Sequence, residues 1–459
     1  MKLFKFKPGK KGSAALLCSA VLFSANVHSQ SLEQAVAYAL DTAPQLRATY
    51  TQFKVKEKQV AQAEAGYWPT IDATGGYGYE YTDSPSTRNG GDSKNLNRSE
   101  LGLRLQQNIF TGFHTSSEVS RTSYATSAEQ WRLHSAGEDL ALEISQVYID
   151  LIKTEKLINL SEKNLASHQE IYNQIKERTD SGFGSSADLS QVGGRLAKAQ
   201  SNLIAAKNNY LDSKAVFYRV IDQRPEKLVI PVPDAALLPQ SEEEGVKIAL
   251  ANHPVLKSAQ NDINSAAAQH DSANSTYYPK ITLDIEANYN NNIDGADGQI
   301  NNVGGDNNEV IAMVRFSYNI FSGGKDQAYA KETAYKMSEA KELNRNAHRE
   351  VEQEFILSWN AFEQLNLQKK YIKMHVIASK DTQSDYGQQF KIGQRTLLDL
   401  LDTENELYQA RRDFLDAEFS EISAQYRIFH SMGSLLNALR ITRPSSWQGE
   451  QQFDGGVSL

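Results

Sequence analysis

The sequence predicts a mixed, mainly α-helical fold in which long coiled-coil helices carry four β-strands per chain and the whole unit is duplicated. Three observations support this prediction: motifs that recur, long stretches almost without proline or glycine, and short runs of strict alternation. Tyr67–Ile71 returns as Tyr277–Ile281, and Asn108–Gly112 returns as Asn319–Gly323, both about 210 positions later. Solenoid units span roughly 20 to 50 residues, so a repeat of this length indicates a duplicated domain.

Residues 1–29 are predicted to be a secretory signal peptide. A lysine-rich stretch precedes the short apolar run Ser13–Ala25, and small residues suited to cleavage end at Ser29. The run is too short to cross a bilayer as a helix. Cys18, the only cysteine in the chain, lies within this segment. We therefore expect the mature chain to contain no disulfide and no cysteine metal site.

Composition narrows the class of protein only a little. The formal net charge is −8, so the basic balance typical of nucleic-acid binding is absent, and we expect no nucleic-acid partner. No apolar stretch of about 18 residues follows Ser29, so no membrane-spanning helix is predicted. Composition alone would fit a soluble exported protein, and the pattern along the chain indicates something else.

Each predicted repeat contains one strand pair. In the first repeat, residues 30–240, the pair follows Pro69 and occupies about residues 70–110. In the second repeat, residues 241–435, it follows Pro279 and occupies about residues 280–321. Apolar and polar residues alternate along these runs, which is the period of a β-strand. The apolar face of the first pair consists of Ile71, Ala73, Gly75, Tyr77, Tyr79, Tyr81, Leu101, Leu103 and Leu105.

Three features of these strand pairs favour a membrane over the core of a soluble sheet. The runs are about 10 to 12 residues long, their tyrosines gather toward one end, and polar loops on one side only span Asp83–Leu96 and Asp294–Asn308. Four strands cannot close a barrel, which needs about eight, and lipid does not tolerate an open sheet edge. Several chains must then share one barrel, and three chains would supply twelve strands.

Long helix pairs follow the strand pairs, at about 113–219 and 324–430. Apolar residues recur along them at steps of three, four and seven, as at Leu140, Ile144 and Leu151. Sixty residues of helix would extend about 90 Å. The many polar residues suit a wall that is wet on one side and packed as a coiled coil on the other. A soluble periplasmic coiled-coil scaffold or adaptor is the alternative that this periodicity leaves open.

The order of these elements resembles the TolC family of outer-membrane export channels over about residues 31–435. The resemblance implies a homotrimer, with a twelve-stranded β-barrel in the outer membrane of a Gram-negative bacterium and an α-helical barrel in the periplasm. It also implies three kinds of partner: a periplasmic adaptor protein, an inner-membrane ABC or proton-driven transporter, and outer-membrane lipid. Residues 436–459 are predicted to be a polar tail, and their role stays open.

The segment Gly393–Asp402 resembles the gating segment of that family. By this resemblance Asp399 and Asp402 would form carboxylate rings at the periplasmic mouth, where three symmetry-related acids attract cations. Arg395 would bond to an aspartate of the other helix pair, and Asp188 occupies the matching place. An arginine–carboxylate bond is strong and directional, so it could hold a helix pair inward.

Three further positions belong to this predicted gate. Phe390 stands where the family has a gating tyrosine, and because phenylalanine has no hydroxyl group, one closing hydrogen bond would be lost. Gly182 and Gly393 mark the two tip turns, which in the family face the adaptor protein. Both glycines also suit the C-terminal ends of the long helices, where a left-handed residue is common.

Simpler roles for the same residues stay open. Ser185 with Asp188, and Thr396 with Asp399, fit a helix-capping pattern in which the acid stabilises a helix N-terminus. Arg395 and Asp402, the other two polar residues of the predicted gate, could be ordinary solvated side chains. Capping and gating are compatible, since a capped helix can also line a pore mouth.

No arrangement of residues suggests catalysis. The glycine-containing segment Gly182–Ala187 imitates a dinucleotide fingerprint, but it follows a charged helix where that motif needs a strand. His348 has no histidine four positions later, so no zinc-protease motif is present. We therefore predict an export channel without enzymatic activity, metal or cofactor. Two exported cargoes compete: an unfolded protein in type I secretion, which the absent lipidation cysteine favours, and drugs or detergents in efflux.

Overall fold

A computed structural model describes residues 30–83, 95–292 and 305–457. The predicted signal peptide lies outside the described residues, as do most of the two predicted polar loops. Within the described ranges the chain is mainly helical with four strands, and the order of elements occurs twice. The predicted fold class is confirmed in these respects.

The two repeats have matching elements. The first repeat contains α1 (Leu32–Thr42), α2 (Pro44–Glu64), β1 (Thr70–Tyr81), β2 (Asn95–Phe110), α3 (His114–Asp180) and α4 (Ser186–Ile221). The second contains α5 (Glu242–Asn252), α6 (Pro254–Asn274), β3 (Lys280–Asn291), β4 (Asp306–Ser317), α7 (Lys325–Lys391) and α8 (Leu397–Ser431). Both members of each pair have the same length for the short helices, 11 and 21 residues, and for α3 and α7, 67 residues. At 1.5 Å per residue, α3 and α7 are each about 100 Å long.

The short helices begin at residues that favour a helix N-terminus. Pro44 and Pro254 are the first residues of α2 and α6, a position where proline leaves no hydrogen bond unmade. Ser31 and Gln34 form a capping box at the start of α1. Ser241 accepts a hydrogen bond from the backbone N–H of Glu244 in the first turn of α5.

The strands form one antiparallel sheet in the order β1-β2-β3-β4. The sequence predicts two separate hairpins, and the pairing of β2 with β3 joins them across the repeat boundary. In register, Ala73 lies opposite Leu103, Leu103 opposite Ala287, and Ala287 opposite Val310. Directly opposed residues share a face, so the predicted apolar residues of all four strands lie on one side of the sheet.

Three predicted strand boundaries need correction. β2 begins at Asn95 and β4 at Asp306, so the ends of both predicted loops belong to strands. β4 ends at Ser317, which is earlier than the predicted limit of the second hairpin at residue 321. The side chain of Asn319 accepts a hydrogen bond from the backbone N–H of Phe321, and this local turn ends the extended backbone.

A glycine brings the two repeats close together beside the sheet. Gly112 has a φ of +66°, and a Cβ atom at this position would lie 2.5 Å from the carbonyl oxygen of Ser275. Any larger residue would collide with the end of α6. This close contact explains why residue 112 is a glycine. It also places the start of α3 directly against the second repeat.

The hydrophobic core surrounds the middle of α3, which packs against α2, α4, α6 and α8. Its largest fully buried side chains include Tyr148, Phe217, Phe355 and Phe429, which come from four different long helices. The hydroxyl group of Tyr148 donates to the carbonyl oxygen of Val229, 2.9 Å away. Both repeats therefore contribute to one core, which fixes the two long helix pairs relative to each other.

The C-terminal segment is not simply a polar tail. After α8 the chain forms the short helix α9 (Leu435–Ala438) and then crosses α3. Trp447 is 3% exposed, and its ring lies against Gly137, where a Cβ atom would be only 2.7 Å away. The other buried apolar side chains of this segment are Leu435, Leu436, Leu439 and Phe453. We call residues 436–457 the C-terminal strap.

Much apolar surface stays exposed in the single chain. No helix in the described part of the chain combines the length and apolar character needed to cross a bilayer. On α7 the exposed large apolar residues are Tyr329, Tyr335, Leu343, Leu357, Leu367, Tyr371, Met374 and Ile377. An apolar helix surface of this extent is typical of an interface with another chain.

Candidate functional site

The two long helix pairs end in turns built in the same way. Gly182 and Gly393 both have a φ of +78°, which favours glycine. The backbone N–H of Phe183 donates to the carbonyl of Arg178, and that of Gln394 donates to the carbonyl of Gln389, both at 2.9 Å. Each turn is a Schellman motif, as the glycines predict. We call these turns and the adjoining helix ends the tip.

An apolar cluster holds the four helix ends of the tip together. Its members are Ile171, Ile175, Val192, Phe390, Leu397, Leu400 and Leu401, from all four long helices. Phe390 is 7% exposed, and the guanidinium group of Arg178 lies 5.2 Å from the centre of its ring. The phenylalanine ring is thus a packing residue of this cluster, and its predicted role at the gate stays a prediction.

Arg395 contacts its own helix pair. Its guanidinium lies 4.2 Å from the centre of the Tyr386 ring, and its Nε donates to Oε1 of Gln389 at 3.1 Å. Its Nη1 lies 4.0 Å from a carboxylate oxygen of Asp399. The predicted bond to Asp188 is not made within one described chain, because these nearer partners hold the guanidinium. The role of Arg395 and Asp188 at the gate stays a prediction.

Asp399 caps the helix that begins at the tip. Its backbone N–H donates to Oγ1 of Thr396, and its carboxylate accepts from the backbone N–H of Thr396, both at 3.2 Å. Hydrogen bonds from the hydroxyl and backbone N–H of Thr396 lower the pKa of Asp399. At the other turn, Ser185 accepts from the backbone N–H of Ala187, so the serine alone caps α4. The capping role is confirmed for Asp399.

Asp402 forms an ion pair that the sequence does not predict. Its carboxylate accepts a hydrogen bond from Nη2 of Arg195 at 2.9 Å, which connects α8 of the second repeat with α4 of the first. The duplication gives no hint of this pair, because the position that matches Arg195 in the second repeat is Glu406. Only the packing of the two helix pairs brings these distant residues together.

A polar layer lies one turn further from the tip. His168 is 4% exposed, and burial lowers its pKa. Glu404, at 8% exposure, accepts a hydrogen bond from the side chain of Gln383. Buried polar groups of this kind need partners, so the bond between Gln383 and Glu404 helps to fix how α7 and α8 pack.

The polar face of the sheet carries a network of ion pairs across three strands. Asp284 on β3 is 1% exposed and accepts from Arg104 on β2 at 3.3 Å and from Arg315 on β4 at 3.2 Å. Arg104 also lies 3.3 Å from Glu286. These ion pairs hold β3 in register with β2 of the first repeat and with β4 of the second.

The opposite face of the sheet is apolar and exposed. Its large exposed side chains are Ile71, Tyr77, Tyr79, Tyr81, Leu101, Leu103, Ile285, Tyr289, Val310, Val314 and Phe316. A second set of exposed aromatic residues, which sequence reasoning missed, lies where the sheet meets the helices and includes Trp68, Phe113 and Phe321. Aromatic residues at both ends of an apolar band are typical of membrane strands.

The comparisons with known proteins agree with this geometry. A family model described as "Outer membrane efflux protein" matches residues 35–221 and 245–434. The outer membrane efflux protein BepC of Brucella suis is 25% identical over 95% of this chain and 92% of its own length. The outer membrane protein TolC of Vibrio cholerae is 21% identical over 92% and 95% of the two chains. The alkaline protease secretion protein AprF of Pseudomonas aeruginosa is 21% identical over 87% and 84%.

Solved structures show the same fold. The CmeC outer membrane channel of Campylobacter jejuni superposes with a TM-score of 0.77 at 16% identity. The match covers 91% of this chain and 87% of that one.

Proposed function

Since this chain belongs to the outer membrane efflux protein family and is an outer-membrane channel protein, we propose that three copies of it form one exit duct from the periplasm to the outside of a Gram-negative cell. The soluble scaffold that helix periodicity alone leaves open is not supported, because the relatives BepC and TolC are described as outer-membrane proteins.

One observation carries the trimeric duct: the four-stranded sheet is open at both edges and apolar on an exposed face. Within the described residues, β1 and β4 are the edge strands, each 12 residues long, and the backbone groups on the outer side of each strand have no neighbouring strand. In lipid these groups need partners, so the edge strand of one chain must pair with that of the next. Three sheets supply twelve strands, which is enough to close a barrel around water.

The proposed duct has a wet lumen and a narrow periplasmic end. With the apolar face toward lipid, the ion pairs around Asp284 face the lumen. The long helices extend the duct by about 100 Å into the periplasm. Asp188, Phe390, Arg395, Asp399 and Asp402 would then surround its mouth. The exposed turns at Gly182 and Gly393 would face a periplasmic adaptor, which links the duct to an ABC or proton-driven inner-membrane transporter.

The duct itself performs no chemistry in this proposal. Transport energy comes from the inner-membrane partner, and the duct supplies a path and a gate. Efflux of small molecules is the favoured cargo class, because the matching family and the relative BepC are described as efflux proteins. Protein secretion is the second candidate, since the relative AprF is described by its role in protease secretion.

Fractionation followed by conductance tests the proposal. We expect the protein in the outer-membrane fraction, resistant to salt and carbonate washes and released by detergent. The released protein should then form ion-conducting pores in planar bilayers. A protein that leaves the membrane in buffer and conducts no ions would contradict the proposal. Deleting the gene and measuring sensitivity to detergents and drugs, against the amount of secreted protein, separates efflux from secretion.

A further inference from the structure

A well-formed ion pair near the tip connects the two long helix pairs in the described structure. Arg195 on α4 donates through Nη2 to Oδ1 of Asp402 on α8, at 2.9 Å. Arg195 lies one turn beyond Val192, and Asp402 follows Leu401; both apolar neighbours are 0% exposed within the tip cluster. Packing therefore fixes the backbone of both helices at this level, so the Arg195–Asp402 distance depends on the distance between the two helix pairs.

The groups around this pair indicate that Arg195 determines whether the Asp402 carboxylate is paired or unpaired. Glu404 on α8 adds a second carboxylate at this level, and Gln383 on α7 donates to it. His168 on α3 faces the same layer, and burial lowers its pKa, so it is neutral near pH 7. Arg195 is thus the cationic partner of Asp402 in the described structure.

We propose that Arg195 is a positioning residue of the gate, which ties the two helix pairs together and neutralises Asp402 while the mouth is closed. This inference rests on the proposed function. Asp402 would then be a paired carboxylate in the closed duct, and it would become a free acid only when the helix pairs separate. Half-exposed ion pairs are weak individually, so such a tie can break reversibly when an adaptor binds.

Two single substitutions break the same pair from opposite sides. Arg195→Gln leaves Asp402 charged and unpaired, whereas Asp402→Asn leaves Arg195 charged and unpaired. Both variants should conduct more than the wild type, at least twofold at the same voltage. Their ion selectivity should shift in opposite directions: Arg195→Gln toward cations and Asp402→Asn away from them, as reversal potentials in a salt gradient will show.

A charge exchange and a distant control complete the experiment. The double variant Arg195→Asp with Asp402→Arg restores the pair and should return conductance toward the wild-type value. Lys207→Gln removes one positive charge from the same helix, where Lys207 lies 3.9 Å from Glu162 away from the tip. This control should conduct as the wild type does.

The outcomes separate the inference from the proposed function. Unchanged conductance and selectivity in both single variants would contradict the role proposed for Arg195, whereas the proposed channel function would not be affected. Higher conductance without rescue by the exchanged pair would also contradict that role, because a general loosening of the tip would then be the cause. A wild type that forms no pore would instead contradict the proposed function. If one single variant does not assemble, the other still tests the pair.

Discussion

At the scale of single residues, His430 connects the two repeats through charge. Its Nε2 lies 2.7 Å from Asp139 on α3, and its Nδ1 lies 3.2 Å from Glu354 on α7. Burial alone would lower the pKa of His430, but the hydrogen bonds to these carboxylates raise it to about 9. Its neighbour His253 accepts from the backbone N–H of Val255, and burial lowers its pKa. The site therefore holds one charged and one neutral histidine near pH 7.

This arrangement predicts a pH-dependent stability. Because the folded-state pKa of His430 is above its ordinary value of 6.5, the stabilisation is complete below about pH 6.5 and is lost as pH rises through about 9. Because the partners are partly exposed, we expect protonated His430 to contribute on the order of 2 kcal/mol to the free energy of unfolding. Thermal unfolding of the detergent-extracted protein should show a lower Tm at pH 9.5 than at pH 6.5, by about 2 °C.

Variants of two histidines test this prediction. His430→Gln should remove most of the Tm difference between the two pH values. His375→Gln is the matched control, since His375 is half-exposed and contacts only Glu406 in the described structure, at 3.2 Å. An equal Tm difference in wild type and His430→Gln would show that His430 does not carry the effect.

Sequence reasoning succeeds for residues whose chemistry is local. Gly182 and Gly393 are recognisable because helix ends favour a left-handed residue, and Thr396 with Asp399 because a capping box spans four positions. The pair of Arg195 and Asp402 is not recognisable, since it depends on how two helix pairs pack. Arg395, in the turn between α7 and α8, illustrates the same limit: within one chain its partners are Gln389 and the Tyr386 ring on α7 and Asp399 on α8.

At the scale of elements, the two faces of each strand are readily predictable from the sequence and the packing of the C-terminal strap is not. Alternation identifies the face of each strand directly, because its period is two. The strap has no period, and its buried residues are held by irregular contacts. The Trp447 carbonyl accepts from Gln130, and the Trp131 indole N–H donates to the Gly455 carbonyl. Such contacts follow from the tertiary fold and leave no pattern in composition.

The exposed face of β2 gives a prediction for the sheet. Leu103 is 52% exposed in the middle of the apolar band, and Gln106 lies on the polar face of the same strand. If the apolar face contacts lipid, Leu103→Lys should cost about 2–4 kcal/mol per chain and strongly reduce the amount of protein in the outer membrane. Gln106→Lys should leave that amount nearly unchanged, because a lumen accepts charge.

Quantifying both variants in washed outer membranes checks this prediction. Equal amounts of Leu103→Lys and wild-type protein would show that the apolar face does not contact lipid. A loss with Gln106→Lys alone would indicate that the two faces have been assigned the wrong way round.

At the scale of the whole molecule, the fold class and the family were predictable because duplication, alternation and helix length all agree. The joining of the two hairpins into one sheet was not predictable, since the contact between β2 and β3 spans the repeat boundary. The need for more than one chain follows from physical chemistry: a four-stranded sheet with two edge strands and an exposed apolar face is incomplete alone in lipid. The exposed apolar side chains along α7 are consistent with the same need for neighbouring chains.

The mass of the detergent-extracted assembly, measured by native mass spectrometry, tests the central claim most directly. We predict a single species of three chains, because the proposed duct has a barrel of twelve strands in which every sheet edge is paired. A stable species of one chain that keeps its strands would contradict the claim, since its open edges would then persist without partners.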